Sequence, residues 1–130
     1  MTSITTKTAI LSYLEKDIMI LRLIEDSEID LKEAVETFEA TLKLAEGRKY
    51  AMMIDATVSV QVSSAAREYS AKKERQKNLI AQAIVVTSLA NKIIGNFIIK
   101  VNKPYAPTRL FSNEEDALAW LREMINKYRG

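Results

Sequence analysis

The 130-residue chain contains no cysteine and no histidine. Without thiols it forms no disulfide, no thiolate nucleophile and no sulfur-ligated metal site. Without imidazole it lacks the usual general base, the commonest metal ligand and any serine–histidine pair. Glycine is almost as scarce, with Gly47, Gly95 and Gly130 the whole supply. A phosphate cradle needs glycine in the loop between a strand and a helix, where backbone must approach the anion. None of these glycines falls in such a loop, which excludes a dinucleotide fingerprint and a P-loop. No apolar run approaches the roughly 20 residues of a membrane span. The opening MTSITTKTAI lacks the long apolar core of a signal peptide, so a cytoplasmic protein without a membrane span is expected. The carboxylates are scattered, with no calcium-loop spacing. No metal, no cofactor and no catalytic residue are expected, and the chain reads as a non-enzyme.

What remains is ordinary globular material. Hydrophobic residues make up 48% and charged residues 28%, enough for one core. The length makes residues 1–130 a single domain by default. A net charge of +2 is too even to call for nucleic acid.

Residues 9–14 and 18–24 read as an antiparallel hairpin around Glu15, Lys16 and Asp17. The second strand is apolar nearly throughout and belongs inside the sheet; Arg22 within it must find water or an acid at an edge. Asp30 and Glu33 form a capping box for a helix with the stripe Leu31, Ala34, Val35, Phe38, Leu42 and Ala45. Gly47 marks its end. The run Ala51-Met52-Met53-Ile54, closed by Asp55, is a strand buried on both faces. Ser63 and Ser64 can cap a helix from Ala65. Its flank holds Arg67, Lys72, Lys73, Arg75 and Lys77 against Glu68 and Glu74. That flank is either simply solvated, with Glu68 and Lys72 paired, or a docking face for an acidic partner.

Residues 80–86 form the clearest internal strand. Leu89, Ala90, Ile93, Ile94, Phe97, Ile98 and Val101 make a wide helical stripe, which predicts a core helix with Ile99 left outside it. That excess apolar surface suits self-association, and a homodimer is expected. Gly95 either weakens this helix or admits a close neighbour, and Asn102-Lys103-Pro104 ends it. Residues 108–111 form a last strand. Ser112 and Glu115 read as a capping box for a final helix striped by Ala117, Leu118, Leu121, Met124, Ile125 and Tyr128. The order β-β-α-β-α-β-α-β-α predicts an α/β fold: a mixed, mostly parallel sheet of about five strands with about four helices.

The junction after the strand ending at Asp55 is the candidate site, because ligands and partners dock where strands give way to helices. Asp55, Thr57, Ser63, Ser64 and Arg67 are its residues. The plain reading has Asp55 accepting hydrogen bonds from loop amides and the serines capping a helix. The sharper reading makes the junction a recognition or phosphorylation site. The element order and the segments IDAT and VSSAA resemble the STAS domain of anti-sigma-factor antagonists, the SpoIIAA-like fold. In that family a strand ends in Asp-x-Ser or Asp-x-Thr, matched here by Asp55 and Thr57. Its Asp-Ser-Ser-Gly motif opens a helix and carries the serine phosphorylated by a partner kinase. The resemblance sets Ser64 at that serine, with Ser63 in place of the aspartate and Ala66 in place of the glycine. REYSAKK, ANKIIGNFIIKVNKP and PTRLFSNEEDALAWL resemble an uncharacterised bacterial STAS-like branch grouped with SEC14-type lipid-binding folds. The resemblance implies a regulatory or protein-binding module with a protein partner. The alternative is a carrier for a small apolar ligand or lipid, held between the sheet and the helix of residues 93–101.

Overall fold

The computed structural model describes residues 3–130; Met1 and Thr2, part of the expected 1–130 unit, lie outside the described residues. The elements run β1 (Ser3–Thr5), β2 (Ala9–Glu15), β3 (Ile18–Leu23), β4 (Ser27–Ile29), α1 (Leu31–Ala45), β5 (Tyr50–Asp55), β6 (Val60–Val62), α2 (Ser64–Ala71), α3 (Lys73–Gln76), β7 (Leu79–Val85), α4 (Leu89–Phe97), β8 (Thr108–Phe111) and α5 (Glu114–Arg129). A π-helical turn over Ile98–Asn102 continues α4. All nine expected elements are present. β1, β4 and β6, each of three residues, and the four-residue α3 are additions.

Six strands form the main sheet in the order β1-β2-β3-β5-β7-β8. β1, β2 and β3 pair antiparallel, and β3, β5, β7 and β8 run parallel. The short apolar runs of β3, β5 and β7 occupy the interior, as strands buried on both faces must. β4 and β6 pair separately as a two-stranded parallel ribbon.

Alternation along β5 divides the core. Ala51 and Met53 join Ile18, Ile20, Ala83 and Val85 under Ala117, Leu121 and Ile125 of α5. Tyr50 and Met52 face the other way, with Met19 and Leu21, under Ala40, Leu44 and Ala45 of α1. Helix α2 packs on α1, where the rings of Phe38 and Tyr69 meet edge to face at 6.1 Å. The parallel strands step across the sheet in one direction, so right-handed crossovers put α1, α2 and α4 on one face. Helix α5 covers the other.

Several local expectations change. The expected α1 stripe is rotated: Leu31 and Leu42 are exposed, and Ala40, Thr41 and Leu44 are buried instead. Ser63 alone caps α2, and Ser64 is the first helical residue. Lys72 is extended and separates α2 from α3, so Glu68 and Lys72 share no helical face. Asn113, not Ser112, caps α5 by accepting from the Asp116 amide.

The largest revision concerns α4. Asn91 and Gly95 face inward, while Leu89, Ile93, Phe97 and Val101 are 75%, 61%, 44% and 57% exposed. The helix turns its large residues outward because Gly95 lies against β8: a Cβ there would stand 2.7 Å from Leu110 Cδ2.

Candidate functional site

At the C-terminal end of β5 the ladder pairs Arg22 with Asp55. Arg22 Nη1 donates to Asp55 Oδ2 at 2.6 Å and to Glu114 Oε2 at 2.8 Å. The acid that Arg22 required is thus supplied by the neighbouring strand and by the first residue of α5. Asp55 Oδ1 accepts from the Thr57 hydroxyl at 2.7 Å and the Thr57 amide at 3.1 Å. Burial pushes the Asp55 carboxyl up, but these Thr57 bonds and Arg22 outweigh it and hold the group below its ordinary value. The Glu114 carboxylate, before the other contributions, holds the Arg22 guanidinium above its ordinary value. Both Asp55 oxygens are engaged, and through them Asp55 ties the loop at Thr57 to Arg22.

The following connector is pinned from α4. Asn91 Nδ2 donates to the carbonyls of Ala56 and Val58, each at 2.7 Å. Sequence reasoning passed over Asn91 because it sits inside an apolar run. The signal was its position four residues before Gly95, on the one narrow side of α4 without bulk.

On the opposite face of the sheet, the β4–β6 ribbon delivers two helix N-termini side by side. Ser63 Oγ donates to Asp30 Oδ1 at 2.7 Å and accepts from the Ala66 amide at 3.1 Å. Asp30 also accepts from the Leu31 amide. The Ser63 hydroxyl, first, and the Leu31 amide hold the Asp30 carboxyl below its ordinary value. One hydroxyl therefore joins the caps of α1 and α2. Ser64, the next residue, is exposed. Arg67 turns inward: Nη1 donates to the Val62 carbonyl at 2.6 Å, and its guanidinium carbon lies 5.0 Å from the Phe97 ring centre.

The structure thus groups Asp55 with Thr57, and Ser63, Ser64 and Arg67 at the start of α2. Asp55 belongs to the α5 face and the α2 group to the other; no hydrogen bond or ion pair among the described residues joins the two groups. What Arg67 does join is the start of α2 to the exposed apolar row of α4.

Beneath α1 and α2 lies a largely apolar cavity of about 230 Å³. Leu21, Met52 and Ile54 form its floor, and Phe38, Tyr69 and Arg67 lie in its roof. It sits between the sheet and α1/α2, not against residues 93–101 as expected; Ile98 is the only contribution from that stretch. Burial, with Tyr13 adding to it, pushes the Tyr50 phenol at this cavity up to about 12. Among the described residues no group of acidic side chains could hold a metal ion. No helix there is long and apolar enough to cross a membrane.

The sequence profile of a family described as "Domain of unknown function (DUF7793)" matches residues 12–125. No curated protein matches the chain. Among solved structures it is similar to an uncharacterized protein from the DUF3478 family of Shewanella loihica PV-4, described as having a SpoIIAA-like fold. The two share 12% identity over 91% of this chain and 98% of that one, with a TM-score of 0.61. At that identity the likeness is one of fold, and the mixed, mostly parallel sheet described above is a SpoIIAA-like, STAS-like fold.

Proposed function

We propose that this protein, which belongs to the family described as a domain of unknown function (DUF7793), is a non-enzymatic protein-binding module acting as a single STAS-like unit. Its working surface is the start of α2 at Ser64 together with the outward row of α4. The observation that carries this reading is that row: Leu89, Ile93, Phe97 and Val101 recur every fourth residue, and each is more than two-fifths exposed. A contiguous apolar strip of that kind marks an interaction surface. Arg67, stacked on Phe97, makes the strip continuous with α2. The engaged oxygens of Asp55 and the tied hydroxyl of Ser63 support a role without chemistry of their own. Ser64 then acts as the control point. A phosphate there adds about −1.5 to −2 charges at a helix N-terminus, which the helix dipole accommodates and an apolar or acidic partner does not. Pull-downs from the host with wild type, Ser64→Ala and Ser64→Asp test this. The expected outcome is an unchanged melting temperature and a partner lost only from Ser64→Asp. Identical recoveries from all three would reduce Ser64 to a structural residue.

A second reading is favoured by one observation, the cavity under α1 and α2: the module carries a small apolar ligand. The two readings are compatible, since the cavity and the α4 row meet at Arg67.

A further inference from the structure

The wall of the cavity is not uniformly apolar, and its polar groups divide into two sets. Thr41 donates to the Thr37 carbonyl, Gln76 bridges the Ser70 carbonyl and the Ala106 amide, and Gln82 donates to Thr108. Those groups are satisfied within the fold. Two others are enclosed without any partner among the described residues: Thr8 Oγ1 and Arg67 Nε. Thr8 is 2% exposed. Both residues line this cavity. Buried polar groups are nearly always paired, and each one left over calls for an explanation.

Arg67 has the larger deficit. Its Nη1 is held by the Val62 carbonyl and Phe97 lies near its guanidinium, but the ion pairs among the described residues do not include it. A half-buried guanidinium beside apolar walls, with no counter-charge, is costly. A carboxylate on the edge of the guanidinium supplies the missing counter-charge.

We propose that this cavity binds a small monocarboxylic amphiphile, with its hydrocarbon chain over Leu21, Met52 and Ile54 and its carboxylate on Arg67. The inference rests on the apolar-ligand reading above and gives it a ligand class. Size limits the class. The cavity of about 230 Å³ exceeds the roughly 150 Å³ that accommodates benzene but falls short of the roughly 300–1,000 Å³ of pockets for drug-sized ligands. A medium-length fatty acid or a small aromatic acid fits those bounds, and a two-chain lipid does not. Charge limits it further. Two guanidiniums line the cavity, Arg67 and Arg75; Arg75 lies over the Tyr69 ring at 4.0 Å, which leaves Arg67 to meet a single negative charge.

The test is a methyl NMR titration of the full chain with sodium octanoate and, separately, 1-octanol, in wild type and Arg67→Met. Methionine keeps an apolar stem and removes the charge. The expected result is saturable movement of the Leu21, Met52 and Ile54 methyl signals, with octanoate bound about tenfold or more tightly than 1-octanol. Arg67→Met should abolish the preference, so that octanoate and 1-octanol bind the variant with equal affinity. Equal affinities for the two ligands in wild type would overturn the carboxylate assignment while leaving the cavity reading standing. If neither ligand moves those methyls, or if octanoate moves only Leu89 and Ile93 on the outer row, both fall. The wild-type comparison decides the matter even if Arg67→Met does not fold.

Discussion

Asn91 carries more of the connector after β5 than any residue expected to matter there, since its one amide nitrogen holds the carbonyls of Ala56 and Val58. Asn91→Ala leaves both carbonyls without that donor, so it should cost about 1–3 kcal/mol, measured by urea denaturation. An unchanged midpoint would show that the connector is held elsewhere. Asp55 makes a pH prediction of definite sign. Its folded carboxyl lies below the ordinary value, so its contribution to stability is complete above the unfolded pKa of about 3.9. It is lost as the pH falls through that value toward the folded one. Wild type should therefore lose stability on acidification below about pH 4 more steeply than Asp55→Asn, as read from melting temperature against pH. Parallel curves would contradict this. The loop role of Asp55 and the Asp30–Glu33 box were legible because the partners Thr57 and Glu33 lie within three residues; Thr57 itself was singled out only through the family resemblance. Arg22 announced that it needed an acid, but Glu114 stands far along the chain, and no local pattern names such a partner.

Among the elements, those with a strong period or strong caps were readable, and those of three residues were not. β1, β4 and β6 are shorter than the four to eight residues over which alternation becomes a signal. Helix α4 failed for a different reason. It is apolar on several sides, so periodicity could identify a helix without saying which side meets the sheet. Gly95 decides it by letting α4 approach Leu110. Gly95→Leu should thus overpack the contact and destabilise by about 1–3 kcal/mol, despite leucine's better helix propensity; calorimetry should register a lower melting temperature. A stabilised variant would mean that α4 does not depend on this approach. β5 yields the opposite kind of test. Met53 is fully buried between the sheet and α5, and Met53→Asp would place an unpaired charge there. That costs on the order of several kcal/mol, a large share of the roughly 5–15 kcal/mol that holds a domain folded. A cooperatively melting Met53→Asp protein would refute the central position of β5.

For the molecule as a whole, the alternation of strands and helices was enough to place the chain in an α/β architecture with a mixed, mostly parallel sheet, because right-handed crossovers leave few ways to arrange such an order; the STAS-like expectation came from family resemblance. The division of labour between the two faces was not legible. Asp55 and the start of α2 are separated by eight residues, yet the chain passes from one face of the sheet to the other between them, through the β4–β6 ribbon. The cavity was equally hidden, since it arises from how α1 and α2 together roof the floor of Leu21, Met52 and Ile54. On the proposed function, the outward row of α4 is covered by protein, whether a second copy of the chain or another partner. Native mass spectrometry of protein taken from its own host addresses that claim most directly, comparing wild type with Ile93→Glu. Ile93 is exposed, so the substitution should spare the fold, as circular dichroism can verify. The expected result is a wild-type complex, either a homodimer or a complex with another protein, that Ile93→Glu dissociates to the bare chain. A wild-type spectrum containing only monomer, or a complex that persists in folded Ile93→Glu, would contradict it.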